Sequence, residues 1–234
     1  AYLGDPDFVE VPLATLTSAA YGTERARLID PAHASPGMPM PGRVEGVEPY
    51  LSPVVVRTEP ERLPGDTSIV TVIDRHGNAF CATPSDTSWD TPVVPGTGLA
   101  VSSRGQQSWA VRDHPSCLAP GKRPRLTPNP CFAEVPGKWI MPFGTPGGDQ
   151  QVQANVQVLL SHLAFGLPLQ DAIEAPRLIT HSHPDSFVPH AASPGRLTIE
   201  GRVAESVTAA LAERGHQVER LPDWTHRVAG VCAV

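Results

Sequence analysis

The sequence has few charged residues, no excess of positive charge and no long hydrophobic run. Charged residues make up 18% of its 234 residues, and 24 acidic side chains outnumber 18 basic ones, which gives a formal net charge of -6. A broad basic surface for nucleic acid or for an acidic membrane is therefore excluded. No stretch approaches the roughly 18 consecutive apolar residues that a membrane-spanning helix requires. The length fits one large globular domain of helices and sheet, or part of one.

Closely spaced cysteine pairs are also absent. The chain has four cysteines without a C-x-x-C motif, which we interpret as small, buried apolar side chains: Cys81, Cys117, Cys131 and Cys232. His181, His183 and His190 lie in a segment rich in Ser and Pro, where Asp185 is the nearby acidic residue. We interpret this segment as a solvated loop. The sequence predicts no metal and no cofactor.

The two ends of the sequence lack the features of a complete protein. The first residue is Ala1, and residues 1–10 have neither the basic nor the apolar stretch of a targeting signal, so the sequence assigns no compartment. The last residues form an apolar run, Val228 to Val234, that resembles a strand cut in mid-course. We therefore expect a piece of a longer protein, with the rest of that protein as its partner.

Glycine and proline are abundant, with 20 and 27 residues respectively. Together with the apolar content of 40%, this indicates long ordered loops rather than disorder. The first 66 residues are the least regular part and predict one short helix around Leu13 to Leu28. From Thr67 the sequence alternates β-branched residues, turns at Arg75 to Asn78 and runs back, which predicts a β-hairpin.

The remaining pattern is sheet followed by helices. We predict a strand at Gly98–Ser102 and a second hairpin from Cys131–Val135 and Trp139–Phe143. Helices are predicted at 150–163, 169–174 and 203–214. Two apolar stripes are expected to pack on the sheet, formed by Val152, Val156, Leu159, Leu160 and Leu163 and by Val203, Val207, Ala210 and Leu211.

A glycine pair precedes the first of these helices, in the segment Gly144 to Asp149. Two glycines between a strand and a helix allow backbone N–H groups to approach a ligand, and the helix N-terminus adds a partial positive charge. The turn can therefore bind an oxyanion or a phosphate, although an ordinary tight turn has the same sequence. The motifs of a P-loop and of a dinucleotide site are absent.

Two other features favour structural interpretations. The run Lys122-Arg123-Pro124-Arg125 is a structural clamp or a local anion site on an otherwise acidic chain. Trp89 and Trp109 either pack over loops or line a substrate pocket.

Several segments, taken in order, resemble the gamma-glutamyltranspeptidase family of N-terminal-nucleophile hydrolases. The first looks like a segment late in the family's large subunit, the second like the start of its small subunit, and the others like later loops and a helix end. These segments are Tyr2–Pro12, Asp66–Asn78, Pro120–Pro130, Gly144–Gly148 and Ala172–Arg177.

The resemblance implies a threonine nucleophile at Thr67. A chain-terminal threonine can use its own α-amine, with a pKa of about 7.7 to 8.0, as the base. The resemblance therefore implies self-cleavage between Asp66 and Thr67, and then attack of Thr67 on an amide. Ser85 matches the hydroxyl that hydrogen-bonds the nucleophile. Gly147 and Gly148 match the backbone donors for the oxyanion.

The substrate positions depart from the family pattern. Arg104 and Gln107 stand where the family has a Gln and an Asp that hold the α-amino end of the γ-glutamyl group. Thr127 keeps a hydroxyl at one of two paired serine positions, the other being Leu126, and Thr87 replaces an Asn. An anionic anchor for an ammonium group has been lost and a cation gained, which suits a smaller or purely anionic acyl group.

The resemblance implies an α+β fold, the four-layer αββα sandwich, of which this chain is a part. Residues 1–66 correspond to the end of the large subunit and residues 67–234 to the small subunit with the nucleophile. Three functions stay open. The first is gamma-glutamyl transfer or hydrolysis on glutathione-like amides. The second is hydrolysis of another small acidic amide, such as oxamate, and the third is an inactive paralogue or incomplete fragment that binds an anion at the glycine turn.

Overall fold

The computed structural model describes residues 1–53, 55–57, 67–86 and 91–234. The fold is α+β, as expected. Two short helices, α1 (Leu13–Leu16) and α2 (Ala19–Ala26), replace the one helix predicted near the N-terminus. The break falls at Ser18, which has an extended backbone and accepts a hydrogen bond from the backbone N–H of Tyr21, so it caps α2.

The N-terminal segment is attached to the rest of the molecule at several points. Asp5 accepts hydrogen bonds from the backbone N–H and the guanidinium of Arg123, and this contact lowers the pKa of Asp5 to about 2. Ser116 donates its hydroxyl to the carbonyl of Leu3 at 2.9 Å. The strand β1 (Val55–Val56) pairs in parallel with β7 (Ala191–Ala192). Arg57 then forms an ion pair with Asp185 at 2.6 Å.

The predicted hairpin after Thr67 is confirmed. Strands β2 (Val70–Ile73) and β3 (Ala79–Ala82) pair antiparallel. The Asp74 carboxylate accepts hydrogen bonds from the backbone N–H groups of His76 and Asn78, and Gly77 has a φ of +83°, so the turn is formed by the residues that the sequence indicated.

The second predicted hairpin is also confirmed. It consists of β4 (Cys131–Val135) and β5 (Trp139–Gly144), and β10 (Cys232–Ala233) pairs with the other edge of β5. The first hairpin lies against β5, where the Cys81 thiol donates to the carbonyl of Phe143 at 3.3 Å. A Cβ on Gly144 would lie 2.6 Å from Cδ1 of Ile69, so the glycine makes room for Ile69. The end of β5 is thereby fixed beside the segment that begins at Thr67.

The three later helices form close to their predicted bounds, but the predicted buried stripes are wrong. The helices are α3 (Gln150–Leu163), α4 (Leu169–Glu174) and α5 (Glu205–Glu213). The buried residues of α3 are Gln150, Gln151, Ala154, Asn155 and Val158, while about half of the surface of the predicted residues Val152, Val156, Leu160 and Leu163 is exposed. In α5 the buried residue is Thr208, and Val207 is exposed.

A C-terminal sheet was not predicted. It consists of β6 (Leu178–Thr180), β8 (Arg196–Glu200) and β9 (Gln217–Leu221), in the order β6-β8-β9. Four of its apolar residues are buried: Ile179, Leu197, Ile199 and Leu221. Conversely, the strand predicted at Gly98–Ser102 is wrong. Ala100 makes an isolated bridge to Val93, and a 3-10 turn follows at Ser103–Gln107.

Across the described part of the chain, no helix is both long and apolar enough to cross a bilayer. The cysteine prediction is wrong for Cys232, which is exposed, and the other three thiols are half-buried rather than fully buried.

Candidate active site

The first hairpin brings the hydroxyl groups of Thr67 and Ser85 together. Val70 pairs with Ala82, and the backbone N–H of Ser68 donates to the carbonyl of Pro84 at 3.0 Å, so the antiparallel register continues beyond the strands. Residues 67 and 85 are therefore opposite each other. Their Oγ atoms lie 2.7 Å apart, within hydrogen-bond distance.

Arg104 approaches this pair from the 3-10 turn at Ser103–Gln107. The side chain of Ser102 accepts from the backbone N–H of Arg104, which caps the turn. The guanidinium is buried and contacts Ser85 twice: Nε donates to the carbonyl oxygen at 3.2 Å, and Nη2 donates to the hydroxyl. The cation is thus one hydroxyl away from Thr67.

Gln107 and Thr127 complete a buried polar network around Arg104. Nη1 of Arg104 donates to Oε1 of Gln107 at 3.3 Å and to the Thr127 hydroxyl at 3.2 Å. Nε2 of Gln107 donates to the same hydroxyl at 3.4 Å. Both side chains are buried. The structure therefore brings together five residues that the sequence selected: Thr67, Ser85, Arg104, Gln107 and Thr127.

The positive charge of this network comes from Arg104. Among the residues that the structure describes, no carboxylate lies within ion-pair distance of Arg104. Asp86, which follows Ser85 in the sequence, is exposed and accepts from the Ser102 hydroxyl at 2.7 Å. Leu126, the neighbour of Thr127, is 52% exposed, and its apolar side chain adds no polar group to the network. Asp66 and Thr87, which the sequence also selected, lie outside the described residues, as does Trp89.

Gly147 and Gly148 form the turn between β5 and α3. Their φ angles are +125° and +54°, which favour glycine, and a Cβ on Gly147 would lie 3.2 Å from the Cβ of Ala229. Their carbonyls accept from the backbone N–H groups of Gln150 and Gln151. Neither glycine N–H donates to another described residue. The turn therefore presents two backbone donors at the N-terminus of a helix.

Asp149, which follows the glycine pair, is a site residue that the sequence reasoning missed. Its carboxylate accepts hydrogen bonds from the backbone N–H of Ser186, at 2.7 Å, and from the Ser186 hydroxyl, and it pairs with Arg125 at 3.3 Å. Burial raises the pKa of Asp149, while these donors oppose the shift. Its position at a helix start was a visible signal, but its distant partner Ser186 was not.

The segment from Asp185 to His190 connects both parts of the site. Ser186 binds Asp149 beside the glycine turn, and the ring of Phe187 lies 5.7 Å from the Arg104 guanidinium. The backbone N–H of Val188 donates to the carbonyl of Gln106 at 3.1 Å. The segment therefore contacts both the glycine turn and the arginine network.

The interpretation of the histidine segment as a solvated loop is wrong for His190. Its ring is buried and stacks on Trp109 with a centroid distance of 4.0 Å, and His114 stacks on the opposite face at 4.1 Å. Burial lowers the pKa of His114 to about 4. His181 accepts or donates a hydrogen bond with Thr198 at 3.0 Å. Within the described residues, no three His, Cys, Asp or Glu side chains are grouped as a metal site would require.

The basic run at 122–125 has structural contacts. Arg123 pairs with Asp5 and Asp7, and Arg125 pairs with Asp149, as a structural clamp would.

Comparison with known proteins gives one family. The family model of gamma-glutamyltranspeptidase matches residues 1–234. The chain is 27% identical over 198 residues to the glutathione hydrolase proenzyme of Pseudomonas sp. (strain A14), which covers 80% of this chain and 32% of that protein. It is 29% identical over 224 residues to the oxamate amidohydrolase proenzyme of Klebsiella pneumoniae, covering 93% of this chain and 41% of that protein.

A third relative is the Acylase ACY 1 proenzyme of Pseudomonas sp. (strain V22), at 31% identity over 231 residues, 97% of this chain and 35% of that protein. The chain thus spans between about a third and two fifths of the length of these relatives. Among solved structures, LmbA2991HD is 36% identical with a TM-score of 0.85, over 100% of this chain and 41% of that chain.

Proposed function

The chain belongs to the gamma-glutamyltranspeptidase family, and from this premise we propose that it carries the catalytic half of an amidohydrolase or acyltransferase whose nucleophile is Thr67. The observation that carries this proposal is the 2.7 Å contact between the hydroxyls of Thr67 and Ser85, held in place by a buried arginine. The names of the relatives support the reaction class, since all three are proenzymes of hydrolases or acylases.

The proposal begins with self-cleavage between Asp66 and Thr67. Cleavage makes Thr67 chain-terminal and creates a free α-amine, which can accept the proton of the Thr67 hydroxyl. The oxygen then forms a bond to the amide carbon of the substrate, and the amine of the substrate leaves with a proton. Water or a second amine cleaves the resulting acyl ester and regenerates the threonine.

The proposed oxyanion site is the turn at Gly147 and Gly148. The negative charge that develops on the substrate's carbonyl oxygen would accept hydrogen bonds from their backbone N–H groups, and one such donor contributes about 3 to 4 kcal/mol in comparable sites. Ile69 packs against Gly144 at the end of the strand that precedes this turn. That contact supports a position of the turn close to Thr67.

For the fold, we propose the four-layer αββα sandwich. Residues 1–66 would belong to its large-subunit part and residues 67–234 to its small-subunit part. One face of the first hairpin supports it, because Val70, Val72 and Phe80 are exposed by 47%, 47% and 58%. A second sheet, supplied by the part of the relatives that this chain does not span, would bury them. The remaining region of the same precursor is therefore the proposed partner.

For the substrate, we propose a small amide whose acyl group carries no ammonium. By resemblance, Arg104 and Gln107 stand where the family has the side chains that hold an α-ammonium group, and two like charges in a buried site repel each other. This favours an anionic acyl group of the oxamate or glutaryl type over the γ-glutamyl group of glutathione-like amides. Thr127 and Gln107 would provide neutral hydrogen bonds to that acyl group.

The first test is the intact mass and N-terminal sequence of the protein expressed from its complete reading frame. A new terminus at Thr67, abolished by Thr67→Ala, is the expected result. An uncut, inactive protein would instead favour the inactive paralogue that binds an anion at the glycine turn.

The second test compares three 4-nitroanilides that differ in charge. The γ-glutamyl compound has an ammonium and a carboxylate, the glutaryl compound lacks the ammonium, and the pentanoyl compound lacks both. We expect the glutaryl compound to have the highest kcat/KM. A clear preference for the γ-glutamyl compound would instead support glutathione-like amides as the substrates.

A further inference from the structure

We propose that Arg104 is a positioning residue for the nucleophile: it holds the Ser85 hydroxyl as a hydrogen-bond donor toward Oγ1 of Thr67. This inference rests on the proposed function of Thr67. It assigns to Arg104 a role in the chemical step that is independent of the charge of the acyl group.

The geometry supplies the first argument. Arg104 binds Ser85 at two atoms: Nε donates to the backbone carbonyl oxygen, and Nη2 donates to the hydroxyl oxygen. A guanidinium is planar and rigid, so two contacts fix the orientation of the group that it binds. Ser85 in turn lies 2.7 Å from Thr67. The order of contacts is therefore Arg104, Ser85, Thr67.

The proton inventory gives the direction of these hydrogen bonds. An arginine can donate hydrogen bonds but cannot accept them, so Ser85 Oγ accepts from Nη2. When Thr67 loses its proton to the α-amine, its oxygen can only accept. In that state the Ser85 hydroxyl must donate to Thr67 Oγ1, and a charged donor behind Ser85 strengthens this bond.

The same contacts argue against Arg104 as the main anchor of a substrate anion. A guanidinium has five N–H donors. Four contacts to protein acceptors use four of them: two go to Ser85, one to Gln107 and one to Thr127. A bidentate grip on a substrate carboxylate needs two N–H groups and would break part of this network.

The test is a double-mutant cycle with Arg104→Gln and Ser85→Ala in the complete protein, with the neutral pentanoyl anilide as substrate. A single charged hydrogen bond corresponds to about 10- to 100-fold in rate, so we expect Arg104→Gln to lower kcat by that factor with little change in KM. In the Ser85→Ala background the same substitution should lower kcat by less than about twofold, because the Ser85 hydroxyl through which Arg104 acts on Thr67 is absent.

A pH profile separates this role from a purely structural one. A nearby cation lowers the pKa of an amine, so removal of Arg104 should raise the pKa of the Thr67 α-amine and move the acidic limb of kcat/KM to higher pH. Arg104→Lys keeps the charge and should keep the wild-type limb while kcat falls. Arg112→Gln, an exposed arginine nearby, is the matched control and should change neither quantity.

Three results would overturn the role of Arg104. One is a rise in KM for the glutaryl anilide alone, with kcat unchanged, which would make Arg104 a substrate anchor. Another is a double variant whose loss of kcat equals the product of the losses of the two single variants. The third is an unshifted pH limb. If Arg104→Gln does not fold, Arg104→Lys and Ser85→Ala complete the cycle. A wild-type protein that neither cleaves itself nor hydrolyses any anilide would overturn the proposed function as well.

Discussion

Arg104 and Arg177 are both buried, yet the groups that they bind differ in kind. Arg104 donates mainly to side-chain groups close to Thr67 and has no acidic partner among the described residues. Arg177 donates to the backbone carbonyls of Ile173, Val228 and Ala229 and lies near the buried Glu200, whose carboxylate accepts from its backbone N–H. Burial lowers the pKa of Arg177, and Glu200 opposes that shift.

The difference teaches what each buried cation does. The acceptors of Arg177 belong to α4 and to the segment before β10, so this arginine connects elements that are distant in sequence. Three of the four acceptors of Arg104 are side-chain hydroxyl and amide groups that can reorient, and the fourth is the backbone carbonyl of Ser85. We therefore expect loss of Arg177 to cost stability and loss of Arg104 to cost turnover, and four predictions probe that contrast.

The largest effect is expected for Arg177→Met. The variant leaves three backbone carbonyls without their guanidinium donor, and each buried acceptor left unsatisfied costs about 1 to 3 kcal/mol, while Glu200 keeps its ion pair with Arg202 at 2.9 Å. Chemical denaturation should show this decrease in the free energy of unfolding, while kcat of the folded fraction stays close to wild type. Arg214→Met, at an exposed arginine, is the control. A stable Arg177 variant with low kcat would show that Arg177, like Arg104, acts on turnover rather than on stability.

The next effect concerns Ser186, which is buried and binds Asp149 beside the glycine turn. Ser186→Ala removes one hydrogen bond to a carboxylate, which corresponds to about 1.5 to 3 kcal/mol of stability. Denaturation measures it, with the exposed Ser206→Ala as the control. Because Asp149 adjoins the glycine turn, we also expect a lower kcat. An unchanged denaturation midpoint would mean that Asp149 is held by its other contacts.

A third prediction makes Arg104 resemble Arg177 by giving it an acid. In Gln107→Glu the new carboxylate would neutralise Arg104 and could pair with a substrate ammonium. The ratio of kcat/KM for the γ-glutamyl and glutaryl anilides should rise by about tenfold, which equals roughly 1.4 kcal/mol. Gln106→Glu, on the exposed neighbour, is the control. An unchanged ratio would show that the acyl group does not approach this network.

The smallest effect is a pH dependence of stability that comes from two histidines with lowered pKa values. Burial lowers the pKa of His114, which stacks on Trp109, and of His181, which hydrogen-bonds to Thr198 in the C-terminal sheet, to about 4. Between about pH 6.5 and pH 4 the unfolded chain binds more protons than the folded one, so the free energy of unfolding falls as the pH falls through this window. His114→Gln and His181→Gln should each flatten part of the slope. A slope that survives both substitutions would refute this assignment.

The sequence was sufficient for the local elements but not for their faces. The hairpin at Thr67 and the bounds of α3 follow from alternation, turn residues and period. The apolar stripe of α3 is nevertheless half exposed, whereas Gln151 and Asn155 are buried. A periodic stripe says that one face is apolar, but what covers it depends on distant segments. For the same reason the sheet β6-β8-β9 was missed, because its strands are short and separated by loops and a helix.

The candidate site was predictable where the family pattern holds and where the hairpin register continues. Thr67 and Ser85 follow from both. Arg104 was selected as a departure from the pattern, but its bond to Ser85 was not predictable, because the turn that carries it arrives from outside the hairpin. Asp149 and Ser186 are 37 residues apart and meet through the tertiary fold alone.

The attachment of the N-terminal segment has a consequence for the covalent connectivity of the molecule. If the peptide bond before Thr67 is cut, the upstream polypeptide still has its strand β1 paired with β7, its Arg57 bound to Asp185 and its Asp5 bound to Arg123. None of these contacts involves the severed bond. Two polypeptides should therefore separate on a denaturing gel and migrate as one particle on a native column, because non-covalent contacts alone would keep the pieces in register.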